Sequence, residues 1–164
     1  MSVTDSGAIT ALRLKPSANS ANAARAAIEQ ALGQAVYRTV ALPPDAPVGV
    51  GARWVVRQQV SSEILLDQTT TVTLTAREGN RLSLAVDVSQ TPPQSPVWNL
   101  AGDAGTLNID QYVMAGSGNL TVDLSLPPLP IDGQMTVGGD QAYGDPDSSS
   151  VIRQTISNSI RWES

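Results

Sequence analysis

Residues 51–88, GARWVVRQQVSSEILLDQTTTVTLTAREGNRLSLAVDV, decide the fold. Three segments in them alternate apolar and polar positions: Trp54, Val56, Gln58 and Val60; Thr70, Val72, Leu74 and Ala76; Leu82, Leu84, Val86 and Val88. Successive strand residues point to opposite faces, so each segment sends one row to a core and the other to water. Glu78, Gly79 and Asn80 form the short Gly-containing loop of a hairpin between the second and third segments. Ser61 to Asp67 reads as a looser turn between the first and second. The Thr71, Thr73 and Thr75 row is a solvated face.

Outward from this meander, residues 8–14 alternate after the Asp5-Ser6-Gly7 turn and read as a strand, with nothing before Asp5 to pair with it. Asn19 or Ser20 caps a helix running from about Ser20 to Val36. Its stripe of Ala24, Ala27, Ile28, Ala31, Leu32 and Ala35 is predicted to pack on the sheet, with Arg25 and Glu29 towards solvent. Leu42 to Pro47 is an extended connector rich in proline. The glycines of 48–51 lead into a strand and precede no Lys-Ser or Lys-Thr pair, so they are not a phosphate loop.

Beyond Val88, Thr91 to Ala104 reads as a long crossing loop holding Trp98. Leu107, Ile109, Gln111 and Val113 form the next alternating row. The turn at 116–119 leads to Leu120, Val122 and Leu124, and Pro127, Pro128 and Pro130 end that hairpin. A short strand with Met135 and Val137 follows, then a flexible acidic loop over 138–150. The last segment is a long strand with Ile152, Gln154, Ile156, Asn158, Ile160 and Trp162 on one face. Amides within an apolar row need hydrogen-bond partners. Gln154, Asn158, Gln58 and Gln111 are therefore candidates to face a cavity, with strand ends as the plain alternative.

The expected fold is α+β: one curved, meander-like antiparallel sheet of about seven or eight strands, with the single long helix packed on its concave face. Residues 1–164 make one β-rich domain, since the length suits one core rather than two.

Composition removes several functions. The chain has no His and no Cys, which takes away the usual zinc ligands, thiol nucleophiles, disulfides and imidazole bases. Its net charge is −5, with 10 Lys and Arg scattered singly, so no phosphate-binding surface forms and nucleic acid is not an expected partner. Aromatics are 4% with no Phe, so the core is aliphatic around Trp54, Trp98 and Trp162. No run of about 20 apolar residues is present to span a membrane.

The succession of Asp5 to Thr10, the Ala-rich helix, Pro47 to Trp54, Gln68 to Leu74, Gly116 to Leu124, the Leu129 to Met135 turn and the closing Trp162-Glu163-Ser164 resembles an uncharacterised family of bacterial secreted proteins and lipoproteins, a domain of unknown function. It implies an extracytoplasmic home, secreted or membrane-anchored, and a native protein with a further N-terminal portion. It brings no active site and no cofactor.

The first functional expectation is a non-enzymatic envelope binding module that holds a lipid or other apolar ligand between helix and sheet. Its candidate site is Ile28, Leu32, Gln58, Gln111, Gln154, Asn158 and Trp98. A structural or protein-interaction domain of the envelope is the alternative. A hydrolase using an Asp/Glu pair, with Asp87 or Asp110 as members, ranks third, because no motif fixes two carboxylates at a defined separation. No cofactor or metal is expected.

Overall fold

The computed structural model describes residues 2–5, 7, 9–11, 13, 17, 21–36, 39–43, 46–61, 64–92, 97–100, 105–127 and 129–163. Its elements are β1 (Ser2–Val3), β2 (Ile9–Ala11), α1 (Asn22–Val36), β3 (Arg53–Ser61), β4 (Leu65–Glu78) and β5 (Arg81–Thr91), then β6 (Val97–Asn99), β7 (Thr106–Asp123), β8 (Asp132–Gly144) and β9 (Val151–Trp162). Seven strands form one open antiparallel sheet in the order β3-β4-β5-β7-β8-β9, with β6 also paired to β7. Strands β3 and β9 are its edges.

The alternating rows of the central meander meet in register as far as Leu74, beyond which a shift sets Ala76 against Ser83. Trp54 faces Val72, and Val72 faces Val86; Leu74 faces Leu84, which faces Leu120. The turn between β4 and β5 is tight, since Glu78 pairs with Arg81 and Gly79 takes the positive φ of 59° that a two-residue hairpin asks of it. The resulting core holds Val72, Leu74, Leu82, Leu84, Val86, Val88, Met114, Leu120, Met135 and Val137, with Val40 from the segment after the helix. Trp54 and Val56 of β3 and Ile156 and Trp162 of β9 pack against it. Burying each such aliphatic side chain stabilises by ~1.5–3 kcal/mol, which makes this face the source of the fold's stability.

Glycines let β7 and β8 close over the core. A Cβ built on Gly116 would meet the backbone of Thr136 and Val137, and one on Gly118 would meet the Cα of Met135 at 2.7 Å. In a flat ladder side chains stand away from the neighbouring backbone. The ribbon is therefore folded towards its own core face at these residues, which only glycine permits.

The structure is mainly β, and the helix departs from its expected place. Ala24, Ala27, Ile28 and Ala31, the stripe expected against the sheet, are exposed; Ile28 keeps 54% of its surface. Leu32 is half-buried, and none of the described side chains of α1 belongs to the core cluster. Arg25, expected in solvent, is half-buried and donates to the Ser17 carbonyl at 3.4 Å. The small alanines contribute little apolar area, and the sheet's own branched side chains fill the face instead. The expected cap residues, Asn19 and Ser20, lie outside the described residues.

Other expectations are also corrected. Strand β2 has a partner before Asp5, since Ser2 pairs with Ala11 and Val3 with Ile9; Leu12 and Leu14 lie outside the described residues. The crossing loop contains β6, whose Trp98 pairs with Leu107. Residues 138–144 are strand and not loop: Gln141, Ala142, Tyr143 and Gly144 are buried in β8 and pair with both neighbours. The 107–113 row is broken by a bulge between Ile109 and Gln111. An extra residue in one strand reverses the side-chain parity beyond it. Tyr112 and Met114 thus turn to the core, while Gln111 and Val113 are exposed.

Candidate ligand site between the helix end and the sheet

Where α1 ends, Thr39 closes the helix by donating from both its amide, at 3.1 Å, and its hydroxyl, at 2.8 Å, to the Val36 carbonyl. The following residues are extended and divide their side chains. Val40 and Leu42 go to the core, whereas Thr39 and Ala41 face a pocket. The Trp54 indole on β3 fixes this segment, donating to the Ala41 carbonyl at 2.9 Å.

The pocket has a volume of about 200 Å³ and is lined by Ile9, Val36, Thr39, Ala41, Val56, Gln58 and Gln59. Four of these are aliphatic, three carry neutral hydrogen-bonding groups, and none is charged. Such a lining accepts an apolar group with a neutral polar end; an anion would find no cation there to offset its desolvation.

Gln58 begins a row of amides across the sheet. It stands opposite Gln68, which stands opposite Gln90. Gln68 is buried at 3% exposure; its Oε1 accepts from Gln90 Nε2 at 2.8 Å and its Nε2 donates to Thr70 Oγ1 at 3.4 Å. A second amide cluster lies on β8 and β9. Gln141 Oε1 accepts from the Tyr143 hydroxyl and from Gln154 Nε2, both at 2.7 Å. Trp98 packs on Tyr143 with ring centroids 5.1 Å apart, a tilted pair of favourable geometry. Each network lets its amides satisfy one another where water is excluded.

The seven candidate residues are accordingly divided. Only Gln58 lines the pocket. Gln154 and Trp98 share the Gln141–Tyr143 cluster, and Leu32 is half-buried outside the lining. Ile28, Gln111 and Asn158 are exposed on the helix, beyond the bulge and on β9. Ile9, Val36, Thr39, Ala41, Val56 and Gln59 of the pocket, and Gln68, Gln90 and Gln141 of the networks, are not among the candidates the sequence offers. Extending the two rows one step beyond Thr70 and Val88, away from the hairpin, reaches Gln68 and Gln90, since both keep the parity of Val72 and Val86.

One carboxylate borders the site: Asp67 Oδ1 accepts from Gln59 Nε2 at 3.2 Å. Asp87 and Asp110 are exposed, and among the described residues no group of three or more His, Cys, Asp or Glu could hold a metal. The Asp123 carboxyl is held below the usual carboxylate range, first by the Ser125 hydroxyl and amide and then by Arg81. Asp145 is lowered by the amide of Asp147 and the hydroxyl of Ser148. A depressed pKa contributes stability above the unfolded value that is lost as pH falls through the lower folded value. Ser125→Ala is therefore expected to move the Asp123 titration upward, so that this contribution disappears at a higher pH; carbon-detected NMR titration of the carboxyl reads the shift directly.

Among the described residues no helix is long and apolar enough to cross a membrane. Comparison of the chain with family models, curated proteins and solved structures returned no match.

Proposed function

We propose that the chain is a non-enzymatic binding module of the cell envelope that holds the apolar part of a small neutral amphiphile, or the end of a lipid chain, between the end of α1 and β3. The observation that carries this reading is the pocket itself: aliphatic walls from both elements, with Thr39, Gln58 and Gln59 as its polar groups. Its volume of about 200 Å³ sets the size of the guest. An apolar cavity of about 150 Å³ takes a benzene, and whole-ligand sites run from about 300 Å³ upward. The pocket suits a group of roughly six to eight carbons and leaves the remainder of a longer molecule outside. The family resemblance of the sequence supports an extracytoplasmic placement.

The test pairs native mass spectrometry and organic extraction of protein from an envelope-containing host with titration of the purified chain. Hexan-1-ol is expected to shift the amide resonances of Val36, Ala41 and Val56, and hexanoate at neutral pH to bind more weakly. Ala41→Leu, which fills the pocket, is expected to abolish the hexan-1-ol response without unfolding the chain. No response from either probe, with no extracted molecule, would remove this reading and leave the structural or protein-interaction domain, which the open β9 edge favours.

A further inference from the structure

Strand β9 pairs with β8 along its whole length, from Gly144↔Val151 to Gly133↔Trp162, with no shift of register. Among the described residues nothing pairs with its outer edge. Natural sheets blunt such edges with proline, lysine or a bulge, because a long regular edge templates another strand. Val151–Trp162 contains none of these. Both edges carry two arginines on the solvent-facing row, Arg53 and Arg57 on β3 and Arg153 and Arg161 on β9; β3 differs in that Ala41 is bonded to its Trp54.

The core-side row of β9 is a palindrome of side-chain types. It reads Ile152, Gln154, Ile156, Asn158, Ile160: apolar, amide, apolar, amide, apolar. A palindrome is what an antiparallel pair related by a two-fold axis requires, since each residue then meets its mirror position on an identical strand. With the axis at Ile156, Ile152 meets Ile160 of the second copy, Gln154 meets Asn158, and Ile156 meets itself. On the opposite face Arg153 meets Ser159, Thr155 meets Ser157 and Val151 meets Arg161, so no like charges oppose one another. Moving the axis by one residue sets isoleucine against amide, and moving it to Ser157 also sets Arg153 against Arg161. Cross-strand pairing of like with like is the unit of sheet stabilisation, and opposed like charges weaken it.

We infer that β9 is a self-association edge: two copies join antiparallel about Ile156 into one continuous sheet. The junction gains about ten main-chain hydrogen bonds, because every second residue of an antiparallel pair exchanges two. It also covers Ile152, which is 56% exposed in the single chain. This surface is separate from the pocket, and its test does not depend on a ligand.

Ser159 is exposed and makes one side-chain bond, accepting from Thr136 Oγ1 at 3.1 Å, so charged variants there keep the fold. In the inferred register each copy's residue 159 lies opposite Arg153 of the other, twice per dimer. Sedimentation velocity across a wide concentration range at low salt is expected to show a closed dimer. Ser159→Glu should tighten it and Ser159→Arg should weaken it, each by roughly two- to thirtyfold in Kd. Raising the salt should shrink both effects. A monomer at every concentration, a polymer that does not stop at two, or a Kd that moves the same way in both variants overturns the inference.

Discussion

Gly116→Val is expected to lower stability by ~3 kcal/mol or more, enough to unfold much of the population of an ordinary domain at modest temperature. Overpacking in a core is tolerable when a flexible side chain can move aside. Here the obstacle is backbone: the added Cβ would meet the Thr136 carbonyl and lie 2.6 Å from the Val137 Cα. Relief requires β7 and β8 to separate, which breaks the ladder on both sides of Gly116 and opens the row from Val88 to Val137. Urea denaturation measures the loss as a lowered midpoint. Gly49→Ala is the control, since a Cβ there meets nothing within 4 Å, and its effect should stay within ~0.5 kcal/mol. Equal midpoints for the two variants would contradict the folded β7–β8 ribbon.

Leu74→Ala carries the next largest effect, an expected loss of ~2–5 kcal/mol. Leu74 has 0% of its surface exposed and sits between Leu84 and the start of β3, so the deleted carbons leave a cavity the sheet cannot readily collapse. Ile28→Ala removes a similar side chain from α1, yet Ile28 is 54% exposed and its loss should fall within ~0.5 kcal/mol. The two variants separate a core made by the sheet from one made by helix against sheet. Comparable losses in thermal denaturation would restore the helix to the core.

The sheet is legible where its strands alternate without a bulge. The hairpin at Gly79-Asn80, the row from Leu82 to Val88 and the row from Ile152 to Trp162 all point as their spacing says. Three features were not legible. The bulge near Asp110 adds one residue without a marking glycine or proline, so Gln111 and Val113 were assigned to the wrong face. Gly138-Gly139 resembles a breaker, although in β8 these glycines serve close strand approach rather than flexibility. The alanines of α1 repeat with helical period, but period alone does not say whether the partner face is already filled. Of the pocket, Gln58 is legible because it is the lone amide in the row from Trp54 to Val60. Thr39 and Ala41 lie past the helix and follow neither period, Ile9 belongs to the separate β1–β2 pair, and Gln59 is on the opposite row of β3.

The order of the large sheet has a kinetic meaning. Apart from the three-residue β6, each strand lies beside its neighbour in sequence, from β3 through β4, β5, β7 and β8 to β9. The β5–β7 pairing closes a long connection, from Gln90 to Met114, while the others on this path close turns of eight residues or fewer, so growth can proceed strand by strand along the chain. A ribosome delivers the chain in that same direction, and each new strand finds the preceding one already in place. Of the described strands β9 emerges after all the others of the sheet, so its outer edge is presented only once they are in place.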